Sequence, residues 1–114
     1  MPITVQSQSV EPDITVLSVK GRMHLGTQLQ DLEETVRKQI AGGCRKLVLD
    51  LSGVEYVDSA ALGMLMMSYG SMREVGGKFH IAGANERVMG TMRIAHADKV
   101  LTLFSDASEA SSSF

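Results

Sequence analysis

The sequence predicts one α/β domain, with a mixed β-sheet of roughly four to five strands and about four helices. Two segments rich in β-branched residues, 3–10 and 14–20, flank the turn residues Glu11-Pro12-Asp13 and predict a hairpin. Strand-like and helix-like segments then alternate, as they do in parallel α/β sheets. The 114 residues suffice for one core, so we assign 1–110 to the domain and expect 111–114 to be a frayed tail.

The first helix is predicted to follow a strand that ends at Gly21. Thr27 and Gln30 have the spacing of a capping box, which places the helix start at Thr27. Gly42 and Gly43 predict its end in a left-handed cap. Apolar residues at steps of three and four form one stripe for the core, namely Leu25, Leu29, Leu32, Val36 and Ile40.

The remaining elements repeat this pattern of strand followed by helix. They are predicted as strand 46–52, helix 59–75, strand 78–82, a helix from its N-cap Asn85 to about Ala95, strand 100–104 and a helical turn at 106–110. Right-handed crossovers would bring the carboxyl ends of the second, third and fourth strands to one edge of the sheet. We call this edge the rim and define it as 21–24, 52–59 and 83–87. Open α/β sheets bind ligands and partners at such an edge.

Composition narrows the class of function. The formal net charge of −2 gives no basic surface of the kind that binds nucleic acid. The sequence shows neither an apolar run of membrane-spanning length nor the pattern of a signal peptide. Cys44, the only cysteine, has no second thiol for a disulfide and no neighbouring metal ligands. We therefore expect a cytoplasmic protein without cofactor or metal, and with neither nucleic acid nor a membrane as partner.

The side chains do not predict an enzyme. His24, His80 and His96 lack the spacing of metal ligands. Ser59 lacks the flanking glycines of a nucleophile elbow. We expect His80, which lies within a strand, to be structural, and His24 to contact a partner at the rim.

Several segments resemble STAS domains of the kind that act as anti-sigma factor antagonists in bacterial partner switching. They are 16–22, 47–54, 58–63 and 76–78, and they spread the resemblance over nearly the whole chain. The most specific element is Asp58-Ser59, followed by Leu62-Gly63, after a strand that ends in Asp50-Leu51-Ser52-Gly53. The resemblance implies a STAS-like fold.

The resemblance also implies a function. The anti-sigma factor would be an ATP-dependent serine kinase, and the unmodified antagonist would bind this kinase and free the sigma factor. Phosphorylation of Ser59 would end the interaction, and a metal-dependent serine/threonine phosphatase would reset it. We expect the residues that bind the partner around Ser59 to be Asp58, Ala60, Gly63, Met67, His24, Glu55, Tyr56 and Asn85.

Two departures from the family pattern concern the partner. Ala60-Ala61 stands where Ser-Gly is frequent, which removes a second hydroxyl and stiffens the first helical turn. His24 stands where an acidic residue is common, which changes the surface offered to a kinase.

A serine at a helix start can act as a switch because the free N–H groups and the helix dipole there can hold a phosphate. A partner covering the same surface would have to remove water from a dianion beside Asp58 and Glu55, with no cation in the motif. The sequence leaves open whether Asp58 and Ser59 only cap the helix. For Asp58 we favour partner contact, since Ser59 could cap alone.

The methionines of the second helix allow two interpretations. Met64 and Met67 share a stripe with Ala60 and Gly63, and such soft side chains either suit an adaptable binding surface or fill the core. We expect Met67 to be partly exposed. The core side of the helix is predicted to consist of Leu62, Leu65, Met66, Tyr69 and Met72.

A different function on the same fold remains open at this point. A STAS domain can serve as a scaffold in a stress-signalling complex or as a subunit of a lipid or anion transporter, and the fold does not distinguish these roles. The paired Asp58 and Ser59 favour the antagonist.

Overall fold

A five-stranded sheet organises the chain in the computed structural model, which describes residues 3–10 and 12–114. The strands lie in chain order: β1 (Thr4–Val10), β2 (Ile14–Met23), β3 (Lys46–Val57), β4 (Lys78–Ala82) and β5 (Thr102–Phe104). β1 runs antiparallel to β2, and the other neighbours are parallel. The predicted α/β class and mixed sheet are confirmed, while Glu11 of the predicted turn lies outside the described residues.

Helices cover the two faces of the sheet unequally. They are α1 (Thr27–Ala41), α2 (Ser59–Glu74), α3 (Glu86–Ile94) and the short α4 (Ala107–Ser112), with a 3₁₀ turn at Ala97–Lys99. The larger core combines the apolar sides of α1, α2 and α3 with one face of the sheet, including Leu17, Leu49 and Leu65. A smaller core lies under α4 and includes Val16, Val48 and Ala110.

The end of the chain differs from the expected frayed tail. Ser111 and Ser112 belong to α4, and the ring of Phe114 stacks on the ring of His80 with centroids 3.9 Å apart. His80 is buried, and one ring nitrogen, Nδ1, lies 2.9 Å from the carbonyl oxygen of Ala110. Burial lowers the pKa of this imidazole. His80 therefore holds α4 against the sheet, in line with its predicted structural role.

Two strands extend further than the sequence predicts. β2 was expected to end at Gly21 and continues to Met23, while β3 was expected to end at Ser52 and continues to Val57. Their pairing contains two register shifts, one between Ser18 and Lys20 and one between Gly21 and Met23. Gly21 and Gly53 therefore lie near irregularities in the pairing of β2 with β3. The sequence pattern alone does not distinguish such positions from the end of a strand.

The start of α1 also differs from its prediction. Gly26 is the N-cap, with no side-chain hydrogen bond, and Thr27 is already the first helical residue. The predicted capping box is wrong, and Leu25 lies outside the core stripe with 73% of its surface exposed. The end is as predicted, because Gly43 adopts a left-handed φ of 102°.

Candidate partner-binding site

The structure assembles the three segments of the rim at one edge of the sheet. The backbone N–H of Asp58 donates to the carbonyl of Met23 at 3.0 Å, which joins the ends of β3 and β2. The side-chain amide of Asn85 donates to the carbonyls of Val54 and Glu55, at 3.0 and 3.1 Å. Segments far apart in sequence thus form one surface around the start of α2.

Ser59 is exposed and unused by the fold. It is the first residue of α2, and its hydroxyl makes no hydrogen bond with any residue that the structure describes. Asp58 is the N-cap, because its Oδ1 accepts from the N–H of Ala61 at 2.8 Å. The expectation that Ser59 could cap alone is therefore wrong. The serine oxygen remains free for chemistry, since the cap does not depend on it.

Asp58 joins the helix start to the preceding loop. Its second oxygen, Oδ2, accepts from the backbone N–H of Leu25 at 2.8 Å. The half-buried carboxylate therefore has a structural use for both oxygens, whatever it contributes to a partner. The same bond holds Leu25 at the surface, beside the helix start. Sequence reasoning assigned Leu25 to the core because its spacing matches the stripe of α1, although it precedes the helix.

Arginines from two other segments meet at Tyr56. The guanidinium carbon of Arg87 lies 4.8 Å from the ring centroid of Tyr56, and that of Arg22 lies 6.0 Å away. The ring of His24 is stacked on Tyr56 with centroids 6.4 Å apart and an interplanar angle of 20°. Arg22 also pairs with Glu55 at 2.6 Å, and this hydrogen bond lowers the pKa of the Glu55 carboxyl.

Folding adds positive charge to the rim that the motif around Ser59 does not contain. The motif itself contains none, but folding brings Arg22 and Arg87 next to Tyr56. Both arginines fall inside the predicted rim segments, at 21–24 and 83–87. The signal was therefore present in the sequence, but only the sheet topology shows that the two side chains share one aromatic ring.

The outward side of α2 continues the surface from the rim. Gly63 is exposed, Ala60 is half-buried, and Met67 is 67% exposed, so the predicted exposure of Met67 is confirmed. Met64 is buried with 3% exposure and accepts a hydrogen bond from the Ser68 hydroxyl to its sulfur, which places it in the core. Among the predicted core residues of α2, Leu62, Leu65 and Met72 are buried, while Met66 and Tyr69 are half-buried.

The eight residues predicted to bind a partner differ in how exposed they are. Those that are exposed on the rim and α2 are His24, Glu55, Gly63, Met67 and Asn85. Those that are half-buried are Tyr56, Asp58 and Ala60. The contacts of these residues with a partner remain a prediction. Arg22, Leu25 and Arg87 are the exposed neighbours that sequence reasoning missed.

The described residues contain neither a cluster of metal ligands nor a helix that could span a membrane. Within 3–10 and 12–114, no three His, Cys, Asp or Glu side chains cluster closely enough to hold a metal ion. No helix in that part of the chain combines the length and the apolar character needed to cross a membrane. Cys44 is half-buried, with its sulfur 3.5 Å from the carbonyl of Lys46.

A family model described as the STAS domain matches residues 6–110 of the chain. The chain belongs to the STAS domain family. The match begins within β1 and ends within α4, so it includes every strand of the sheet. The STAS-like fold implied by the resemblance is thereby confirmed.

Proteins similar to this STAS domain include two that are named as anti-sigma factor antagonists. A Thermotoga neapolitana protein assigned to the anti-sigma factor antagonists is 37% identical over 68 residues, which are 60% of each chain. An anti-sigma factor antagonist from Mycobacterium paratuberculosis has a TM-score of 0.86 at 23% identity, over 96% of this chain and 92% of the other. The Bacillus cell fate determinant SpoIIAA in its phosphorylated form has a TM-score of 0.74 at 12% identity, over 94% and 96%. The two structures support the fold, and the chain spans about 60% of the length of the Thermotoga relative.

Proposed function

We propose that this STAS domain is an anti-sigma factor antagonist that binds an anti-sigma factor serine kinase and thereby releases a sigma factor. Phosphorylation of Ser59 ends the binding, and a serine/threonine phosphatase restores it. The observation that carries the proposal is the free Ser59 hydroxyl at the start of α2, where Asp58 supplies the cap. A kinase and a phosphatase can reach such a hydroxyl without unfolding the domain. A cytoplasmic location, where ATP is available, is part of this proposal.

The helix start can hold a phosphate without damage to the fold. The N–H groups of Ser59 and Ala60 donate no hydrogen bond within the described residues, so two donors remain beside the hydroxyl. A phosphoserine carries nearly two negative charges, which the positive end of the helix dipole favours. We therefore expect the phosphorylated domain to keep its shape and its stability.

A partner packed over the same surface responds in the opposite way. It would have to take a dianion out of water next to the Asp58 carboxylate, whose two oxygens are already bonded to backbone N–H groups. Uncompensated burial of charge costs several kcal/mol, and each 1.4 kcal/mol lowers affinity about tenfold. The switch therefore acts by excluding the partner, with little change in the shape of the antagonist.

Binding accounts for these features better than catalysis does. His24, the histidine on the rim, has its Nδ1 3.2 Å from the carbonyl of Leu25 and makes no hydrogen bond with the Ser59 hydroxyl. The relatives described above as anti-sigma factor antagonists, and the phosphorylated form of SpoIIAA, support the same role.

The test uses purified anti-sigma factor kinases from the same genome, with ATP and mass spectrometry. We expect one kinase to place phosphate on Ser59, and Ser59→Ala to abolish it. Ser71→Ala is the matched control, because Ser71 is also exposed and lies on α2. We expect Ser59→Asp to weaken binding at least about tenfold and Ser71→Asp to leave it within about twofold. Phosphate found only at other residues would contradict the proposal, and so would recovery of a transporter ATPase in place of a kinase in a pull-down with the wild type.

A further inference from the structure

Arg87 stands out among the charged residues of the rim. It is the second residue of α3, its side chain is exposed, and it forms no ion pair with any described residue. Its guanidinium lies 4.8 Å from the ring centroid of Tyr56. A guanidinium held over an aromatic ring keeps N–H donors at its edge, which can bind a carboxylate through two parallel hydrogen bonds.

The carboxylates of the rim are already engaged. Glu55 pairs with Arg22, Glu86 pairs with Arg93, and Asp58 accepts two backbone N–H groups. Arg87 is therefore the arginine of the rim that makes no ion pair with a described residue, although its charge also acts on the Glu55 carboxylate that Arg22 binds. Its positive charge is available to a partner even though the whole chain has a net charge of −2. A cation in the first turn of a helix is also disfavoured by the helix dipole, so an incoming anion would relieve this repulsion.

The surroundings of Arg87 and Tyr56 are fixed before any partner arrives. Asn85 caps α3 by accepting from the N–H of Val88 at 2.8 Å, and its side-chain amide donates to the carbonyls of Val54 and Glu55 in β3. The start of α3 is therefore attached to the strand that carries Tyr56. Contacts that are ordered in advance lose less entropy on binding.

We propose that Tyr56 and Arg87 contribute most of the free energy with which the antagonist binds its kinase. In this contact, Arg87 donates hydrogen bonds to a carboxylate from an acidic patch on the kinase. The proposal rests on the proposed function and adds the chemistry of the partner surface. Tyrosine and arginine are the residue types that most often dominate interface energies, especially where water is excluded. A carboxylate placed over this pair would be close to the phosphorylation site, since Tyr56 lies three residues before Ser59.

The experiment measures the affinity of the unphosphorylated protein for the purified anti-sigma factor kinases of the same genome. We expect Arg87→Glu to weaken binding at least about tenfold and to reduce the salt dependence of association. Arg87→Lys should give an intermediate loss, because the charge remains while the planar stacking does not. Arg73→Glu is the matched control, since Arg73 is an exposed arginine in the last turn of α2, at the end away from the rim. We expect this variant to stay within about twofold of the wild type.

Two further measurements separate this contact from the function itself. Lysine in place of the matching acidic residue of the kinase should restore binding to Arg87→Glu, and thermal unfolding should show that this variant is folded. Unchanged affinity of Arg87→Glu, with binding still weakened by Ser59→Asp, would overturn the proposed contact and leave the proposed function intact. If Arg87→Glu left kinase binding unchanged and altered only the thermal stability of the phosphorylated protein, the arginine would bind the phosphate of Ser59, which would overturn the proposal. Failure of the wild type to bind any of the kinases would overturn both.

Discussion

Replacing Asp58 by alanine should destabilise the domain more than the loss of a single helix cap. The substitution removes the bond from Ala61 to Oδ1 and the bond from Leu25 to Oδ2, both at 2.8 Å. A lost N-cap costs about 1 kcal/mol. A hydrogen bond to a charged acceptor contributes about 1.5 kcal/mol. We therefore expect Asp58→Ala to lower the free energy of unfolding by roughly 2.5 kcal/mol in urea titrations read by circular dichroism.

Two controls test the reasoning behind this value. Asp106 caps α4 through one bond, from the N–H of Glu109 at 2.8 Å, so Asp106→Ala should cost about 1 kcal/mol. Ser59→Ala should change stability by less than about 0.5 kcal/mol, because its hydroxyl is unbonded. Equal losses for the two aspartates would show that the bond to Leu25 contributes nothing. A loss in Ser59→Ala as large as in Asp58→Ala would identify the serine as the cap and refute the assignment.

Three further predictions concern stability away from the switch. His80 has a lowered pKa in the folded state, so the unfolded chain binds a proton at a higher pH than the folded chain does. The free energy of unfolding should therefore fall as pH drops below about 6.5. His80→Asn should flatten this dependence in titrations at about pH 5 to 8. Gly53→Ala should cost about 1–3 kcal/mol in urea, because an added Cβ would meet the Lys20 side chain at 2.6 Å and the Val19 carbonyl at 3.0 Å. Gly63→Ala should instead raise stability by about 0.5–1 kcal/mol, since nothing lies within 4 Å of its added Cβ; a loss there would contradict the open surface on α2.

Local sequence signals located most elements of the fold. The strand at 78–82 was predicted with the bounds that β4 has, because glycines precede it and follow it closely. The Asn85 cap was also predicted, since its short side chain can accept from the N–H three residues later. Such signals succeed because the interactions behind them span only a few residues.

Interactions between distant segments account for the errors. Gly53 was taken as the end of a strand, but it sits where Lys20 of β2 approaches β3 closely, and only the pairing shows this. The stacking of Phe114 on His80 joins residues 34 positions apart, which no local pattern reveals. At the candidate site, Ser59 was located from its motif, whereas the cluster of Arg22 and Arg87 around Tyr56 depends on the order of the strands.

The bond between the Leu25 backbone and the Asp58 carboxylate sets a fixed spacing on the protein surface. The exposed leucine and the first turn of α2 are held by the same side chain, because the Asp58 carboxylate accepts a hydrogen bond from each. Any protein that buries Leu25 therefore meets the Ser59 hydroxyl at a constant offset. A kinase or phosphatase that binds Leu25 is thereby positioned over the Ser59 oxygen. Lengthening the 24–26 loop by one residue would misalign this enzyme without changing the serine.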